Sequence, residues 1–340
     1  MRLKRIDVFR LFAIYMVVWA HSQFFDGIKA ESITARGIEL GVDLVVRATM
    51  QFFFIVSGYF LGGKILEHPE QKFAIAWKHS KKLLLTFIVW SIVYAIWGAV
   101  YALKNAPFSE YLQYFTKLVT RDPVALIFEG TRIHLWFLMS LFLAIWLFTL
   151  WPLDKKGKSF LIFGILLFGI GLLGGSYQIT PIGIHLDFNT RDGIFFSTLF
   201  FAIGVLIHVH KPQVSPTLAW GLYLGGFILF SLETYLLWAN WSALPIRHDY
   251  LLGSIPYGIG AFFVAFTAKR ETKLDNFLAP YGKYVLGIYV SHLIFLDLWK
   301  PLGASINPIL WAFLFPALIF ASTLLAVIVL SKTPLRSVVV

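Results

Sequence analysis

The chain has 340 residues, 58% of them hydrophobic, with a mean hydropathy of +0.75 and a formal net charge of +11. A soluble protein this apolar would leave too much hydrophobic surface in water, so the composition points to an integral membrane protein built from spans of ~20 apolar residues. The chain has no Cys, which excludes disulfides, thiolate nucleophiles and Cys-ligated metals; its positive charge reads as basic cytoplasmic loops rather than as a nucleic-acid surface.

Apolar segments fall near residues 7–26, 41–62, 82–103, 133–152, 159–176, 191–210, 217–239, 250–268, 282–300 and 306–330. The expected fold is an all-α polytopic membrane bundle of about ten transmembrane helices. It forms a single domain over 1–340, with no soluble domain and no visible internal repeat. The basic start followed by an apolar run is like a signal peptide, but no small-x-small cleavage site follows, so it reads as a retained first helix. Segment 109–129 differs: Tyr111, Leu112, Phe115, Leu118 and Val119 recur at helical spacing among polar residues, the pattern of a helix lying at the membrane surface. With the N-terminus inside, Lys and Arg are about twice as frequent in the inner connecting segments as in the outer ones, which predicts that both termini are cytoplasmic.

An ionisable side chain inside a span costs roughly 2.5–3.5 kcal/mol on insertion scales, so each is a candidate for function. In the first segment, Arg10 and His21 are about three turns plus about 20° apart, hence on one face and about 16 Å apart along the axis. Asp7 lies one turn before Arg10 and supports it. In the second segment, Asp43 and Arg47 form an i,i+4 pair. Arg47 is then either a functional cation or a structural one that holds Asp43. Ser57-Gly58, further in, either packs a neighbouring helix closely or contributes to a site. His134 and Trp136 open the fourth segment, Glu233 lies inside the seventh, and His292 is near the middle of the ninth. Arg191 and Asp192 open the sixth. His208 and His210 read as a solvated helix end, and no metal site is expected.

The polar positions belong to longer motifs. Arg10, ten intervening residues and His21 lie within "IDVFRLFAIYMVVWAH". "RATMQFFFIVSGYF", "KHSKKLLLTFIVWSIVY", "HLWFL", "RDGIFFSTLFFAIG" and "YGKYVLGIYVSH" follow in that order over most of the chain. Together they resemble the acyltransferase-3 family of bacterial membrane acyltransferases. Thr49, Met50 and Gln51 stand where the family often has Val-Pro before the Phe-Phe pair. Lys82 stands where Arg is frequent, and Lys keeps the charge without the planar fork.

The resemblance implies an enzyme of the bacterial inner membrane. It would move an acyl group, usually acetyl, from cytoplasmic acyl-CoA to a hydroxyl of a cell-surface or lipid-linked glycan, with no tightly bound cofactor. Arg10, with Ser57 and Lys82, is expected to hold the donor; an extended pantetheine arm reaches roughly 17 Å, about five residues' length of chain, which matches the rise from Arg10 to His21. His21 is the expected general base, or alternatively a nucleophile that carries the acyl group. Arg47 and His134 are expected to stabilise the oxyanion, and Glu233 to orient His21 or bind the sugar. Trp136, Arg191 and His292 are assigned to the substrate, and Asp7 and Asp43 to support. The alternative function is an exporter of a glycan or lipid, whose pathway the same residues would line.

Overall fold

The structure is a computed structural model and describes residues 4–22, 33–105, 107–121, 123–152, 157–243, 248–267 and 272–340. Among these residues the regular structure is helical, with no β-strand. In chain order the helices are α1 (Lys4–His21), α2 (Ile33–Val46), α3 (Ala48–Ser57), α4 (Gly63–Glu67), α5 (Lys72–Asn105), α6 (Phe108–Arg121), α7 (Pro123–Glu129), α8 (Trp136–Leu150), α9 (Lys158–Leu173), α10 (Ile194–His210), α11 (Pro216–Trp241), α12 (Ser254–Phe266), α13 (Lys273–Leu278), α14 (Val285–Trp299) and α15 (Pro308–Leu330).

Each apolar segment expected from the sequence contains helix. Residues 23–26 of the first segment and 268 of the eighth lie outside the described residues. Leu40–Glu67, Pro69–Leu103, Ile133–Leu150, Pro216–Trp241, Lys273–Ser305 and Phe313–Leu330 are long and apolar enough to cross a membrane. Lys158–Leu173, Ile194–His210 and Ser254–Phe266 are apolar but shorter.

Three segments differ from expectation. The second has its first helix start at Ile33 and break at Arg47. The third begins at Lys72 rather than near 82, because "KFAIAWKHSKK" contains no Gly or Pro to stop a helix. The surface segment 109–129 is two helices, α6 and α7. Pro123 opens the second, since Pro lacks an N–H and is tolerated in a first turn but not in a helix interior.

The chain divides into two compact units, residues 1–56, 179–181 and 210–340, and residues 57–178 and 182–209. In the first, α1 buries Ile6, Val8, Leu11, Ile14, Val17 and Val18. Its N-terminal end docks on residues 272–284. Thr272 and Asp275 cap α13 reciprocally, and the Asp275 carboxylate also meets Arg5 at 3.2 Å. Gly282 lies against Asp7, where an added Cβ would sit 2.7 Å from the Asp7 Cβ. The "YGKY" part of the last motif is thus a seat for α1. The same segment runs into α14, which packs on α1 and carries His292. α11 opens with Ser215, whose Oγ accepts from the Leu218 N–H, and Pro216 at the first helical position. α12 packs along α11.

In the second unit, α5 packs on α8, and Trp146 Nε1 donates to Ser80 Oγ at 3.0 Å. Phe148 packs against Phe160 and Phe201 in its core. A π-helical turn covers Gly58–Gly62. A Cβ on Gly58 would overlap the backbone carbonyl of Phe201, so this glycine serves close helix packing.

Candidate active site

α1 is one uninterrupted helix from Lys4 to His21, so Arg10 and His21 keep a common face about 16 Å apart along its axis. Arg10 Nη1 donates to Asp7 Oδ1 at 3.3 Å, and both side chains are partly buried. At the other end, His21 Nδ1 lies 3.0 Å from His292 Nε2. Their ring centroids are 5.0 Å apart. His292 is fully buried. Its Nδ1 lies 2.6 Å from the Tyr289 carbonyl oxygen and 3.2 Å from that of Ile288. The sequence assigns His292 to the substrate; the structure brings it to His21.

Arg47 occupies the break between α2 and α3. Its Nε and Nη2 donate to the two carboxylate oxygens of Asp43 at 2.7–3.0 Å, and its Nη1 donates to Asp249 at 3.4 Å. Two carboxylates therefore balance this guanidinium, which reduces its pull on a developing oxyanion. Of the two readings of Arg47, the geometry favours the structural one. Beside it, His248 is 4% exposed and its Nε2 has no hydrogen-bond partner among the described residues. Burial, and then the nearby Arg47, lower its pKa from 6.5 to about 4.

Glu233 is buried in α11. Its carboxylate oxygens accept from the backbone N–H groups of Leu252 and Gly253, each at 3.0 Å. These donors stand immediately before α12, where a helix start leaves N–H groups without intrahelical partners and the helix dipole favours an anion. The structure thus gives Glu233 a capping role at the α11–α12 corner.

The second unit holds a separate polar cluster. His134 is 1% exposed, with its ring edge-on to Tyr94 at 5.1 Å. The Arg191 guanidinium stacks over Trp136 at 4.9 Å. Its Nε donates to Asp192 at 2.9 Å and its Nη2 to Glu129 at 3.4 Å. Gly193 has a φ of +106°, a conformation that favours glycine, and its N–H donates to Ser140 Oγ at 2.7 Å. The "HLWFL" and "RDG" motifs therefore meet. A pocket of about 670 Å³ adjoins them, lined among others by Phe128, Glu129, Phe188, Asn189 and Asp192. Lys82 acts on His79 together with Lys64 and Lys78, so lysines from α4 and α5 gather in one basic cluster. Ser57 ends α3 just before the π-helical turn. At the end of α10, His208 Nε2 meets Glu67 Oε1 at 2.9 Å.

His248, Asp249 and Glu129 join these clusters without having been singled out from the sequence. They stand in connecting segments, where a charged residue is unremarkable by itself. The available signal was the adjacent pair His248-Asp249 at the very edge of an apolar segment.

Apolar helices, with an imidazole pair in one unit and a guanidinium stacked on an indole beside a pocket in the other, define a helical membrane protein. A family model described as an acyltransferase domain matches residues 3–331. The chain belongs to the acyltransferase-3 family. It is 30% identical over 215 residues to an amino-acid racemase of Enterococcus faecalis, which covers 58% of this chain and 27% of that protein. It is 28% identical over 228 residues to a serine/alanine racemase of Enterococcus gallinarum, with 63% and 30% covered. A second amino-acid racemase of Enterococcus faecalis is 29% identical over 240 residues, with 67% and 32% covered. The match thus spans only 27–32% of the length of these curated relatives. No solved structure matches the chain significantly.

Proposed function

We propose that this membrane acyltransferase moves an acyl group, acetyl in the first place, from cytoplasmic acyl-CoA to a hydroxyl of a cell-surface or lipid-linked glycan. The observation that carries this reading is α1. A guanidinium, a group suited to phosphate, and an imidazole share one face at a separation that an extended pantetheine arm of roughly 17 Å spans. Arg10 holds a CoA phosphate, for which its planar fork is suited. The thioester carbonyl then lies at His21. His21 removes the proton of the acceptor hydroxyl as its oxygen attacks the carbonyl carbon. The C–S bond breaks, an ester forms, and the imidazolium returns the proton to the departing CoA thiolate. Arg47, with its two carboxylates in place, is less suited to stabilise the developing oxyanion. Within the second unit, Arg191 and Trp136 stand beside a pocket whose aromatic and carboxylate lining suits the C–H faces and hydroxyls of a sugar.

The names of the relatives favour a second reading, in which this membrane part moves an amino acid that a racemase acts on. The two readings separate in one assay. Protein in liposomes is given labelled acetyl-CoA and an envelope glycan fraction from cells that lack it. The acyltransferase reading expects label in the glycan as a base-labile ester. Mass spectrometry of surface glycan should show an added acetyl mass only in cells that contain the protein. Uptake of labelled serine into the liposomes with no transfer of acetyl label would favour the second reading and sink the first.

A further inference from the structure

We infer that His292 fixes the tautomer of His21 and so makes His21 Nε2 the basic atom of the site; the inference rests on His21 being the base. His292 is fully buried, where an unshared charge is costly, so its ring is neutral and carries one proton. Its Nδ1 faces two backbone carbonyl oxygens, of Tyr289 at 2.6 Å and Ile288 at 3.2 Å. A carbonyl oxygen only accepts, so the proton is on Nδ1 and the lone pair on Nε2. The Nε2 atom lies 3.0 Å from His21 Nδ1. An acceptor there requires a donor opposite, so His21 carries its proton on Nδ1. The lone pair of neutral His21 is then on Nε2, the atom that takes the proton of the acceptor hydroxyl. A backbone carbonyl of α14 is in this way read through two imidazole rings into the protonation pattern of the base. His292 touches neither donor nor acceptor in this scheme; it is a positioning residue. It performs the service that the sequence assigns to Glu233, whose carboxylate caps α12.

The seating of α1 supports the same conclusion. Gly282 and the Thr272–Asp275 cap fix α1 against the segment that leads into α14, so the two rings are held by packing as well as by one hydrogen bond. Preorganisation of this kind is what a general base needs.

Two readouts test the inference, and one is independent of turnover. The ring nitrogens of ¹⁵N-histidine-labelled protein in detergent, assigned by loss of each signal in His21→Gln and His292→Gln, report which nitrogen carries the proton. Nδ1-protonated His21 is expected; Nε2-protonated His21 in the neutral ring overturns the inference whether or not acyl transfer has been detected. In the acyl-transfer assay, His292→Leu removes the acceptor and should lower kcat about 10²-fold while donor KM stays within about twofold. His292→Gln places a carbonyl oxygen near the old Nε2 and should recover about tenfold of the loss. The double variant His21→Ala/His292→Leu should be no slower than His21→Ala, because the two residues act as a unit. If His292→Leu keeps full kcat while His21→Ala loses it, His21 remains the base and the positioning role of His292 is wrong.

Discussion

His292 and Glu233 are both ionisable side chains buried in apolar helices of the first unit, and their surroundings make them different things. Both carboxylate oxygens of Glu233 meet backbone N–H groups at the start of α12, so the group stabilises a corner of the fold. His292 meets backbone on one nitrogen and another ionisable side chain on the other. Glu233 thus joins two backbone donors, and His292 joins backbone to a second imidazole. Burial alone therefore does not mark a functional residue in a membrane protein, although the energetic argument for looking there is sound. What distinguishes the two is whether the polar atoms are engaged by backbone or directed at a second titratable group.

The largest effect expected from this contrast is on stability. Glu233→Ala removes the acceptor of the buried Gly253 N–H and of the part-buried Leu252 N–H and should lower unfolding free energy by about 2–4 kcal/mol. Glu233→Gln keeps one acceptor oxygen and should lose less. Turnover per folded molecule should stay near wild type in Glu233→Gln. A variant that melts like wild type and turns over poorly would return Glu233 to the reaction and erase the contrast.

A second effect lies at His248. Its folded pKa of about 4 lies below the ordinary 6.5. Between those values the unfolded chain binds a proton that the folded chain does not, so stability rises with pH through that window and is level above it. The rise is about 3 kcal/mol at most. His248→Gln should flatten the pH dependence of thermal unfolding in detergent. An unchanged dependence in that variant would place the acid sensitivity elsewhere.

At the donor end, Arg10→Ala should raise acyl-CoA KM roughly 10–100-fold with little change in kcat, the scale of a lost charge-assisted hydrogen bond. Arg10→Lys should recover part of the affinity, because the charge remains while the fork is gone. A fall in kcat with unchanged donor KM would move Arg10 from binding to chemistry. The smallest effect is expected at Arg191→Lys. It weakens the stacking on Trp136 and removes the fork that reaches Glu129 and Asp192, about 1 kcal/mol, so acceptor KM should rise about fivefold. A change confined to donor KM would contradict an acceptor role for the pocket.

Much of this was legible in the sequence, and the exceptions have physical causes. Hydropathy marks helices because a membrane span must satisfy its backbone internally, and every expected apolar segment contains helix. The Arg10–His21 face follows from helical periodicity and needs only an unbroken α1. The Asp43–Arg47 and Asp7–Arg10 pairs follow from local spacing in the same way. Long-range partners do not. That His292 meets His21, and that Asp249 reaches Arg47, depends on which helices are neighbours, which no local pattern encodes. The backbone partners of Glu233 are hidden for the same reason: they lie about twenty residues on, at a helix start. The "RDG" motif reads as charge in one dimension; in three it is a guanidinium stack plus a glycine with positive φ.

The central claim is that His21 takes a proton in the step that transfers the acyl group. The most direct test is turnover of purified His21→Ala in liposomes, measured with labelled acetyl-CoA alongside the wild type, with folding checked by thermal unfolding. The expected result is a fall in kcat of about 10²–10⁴-fold with donor affinity nearly intact. Full turnover in folded His21→Ala would contradict it, and the polar face of α1 would then be structural.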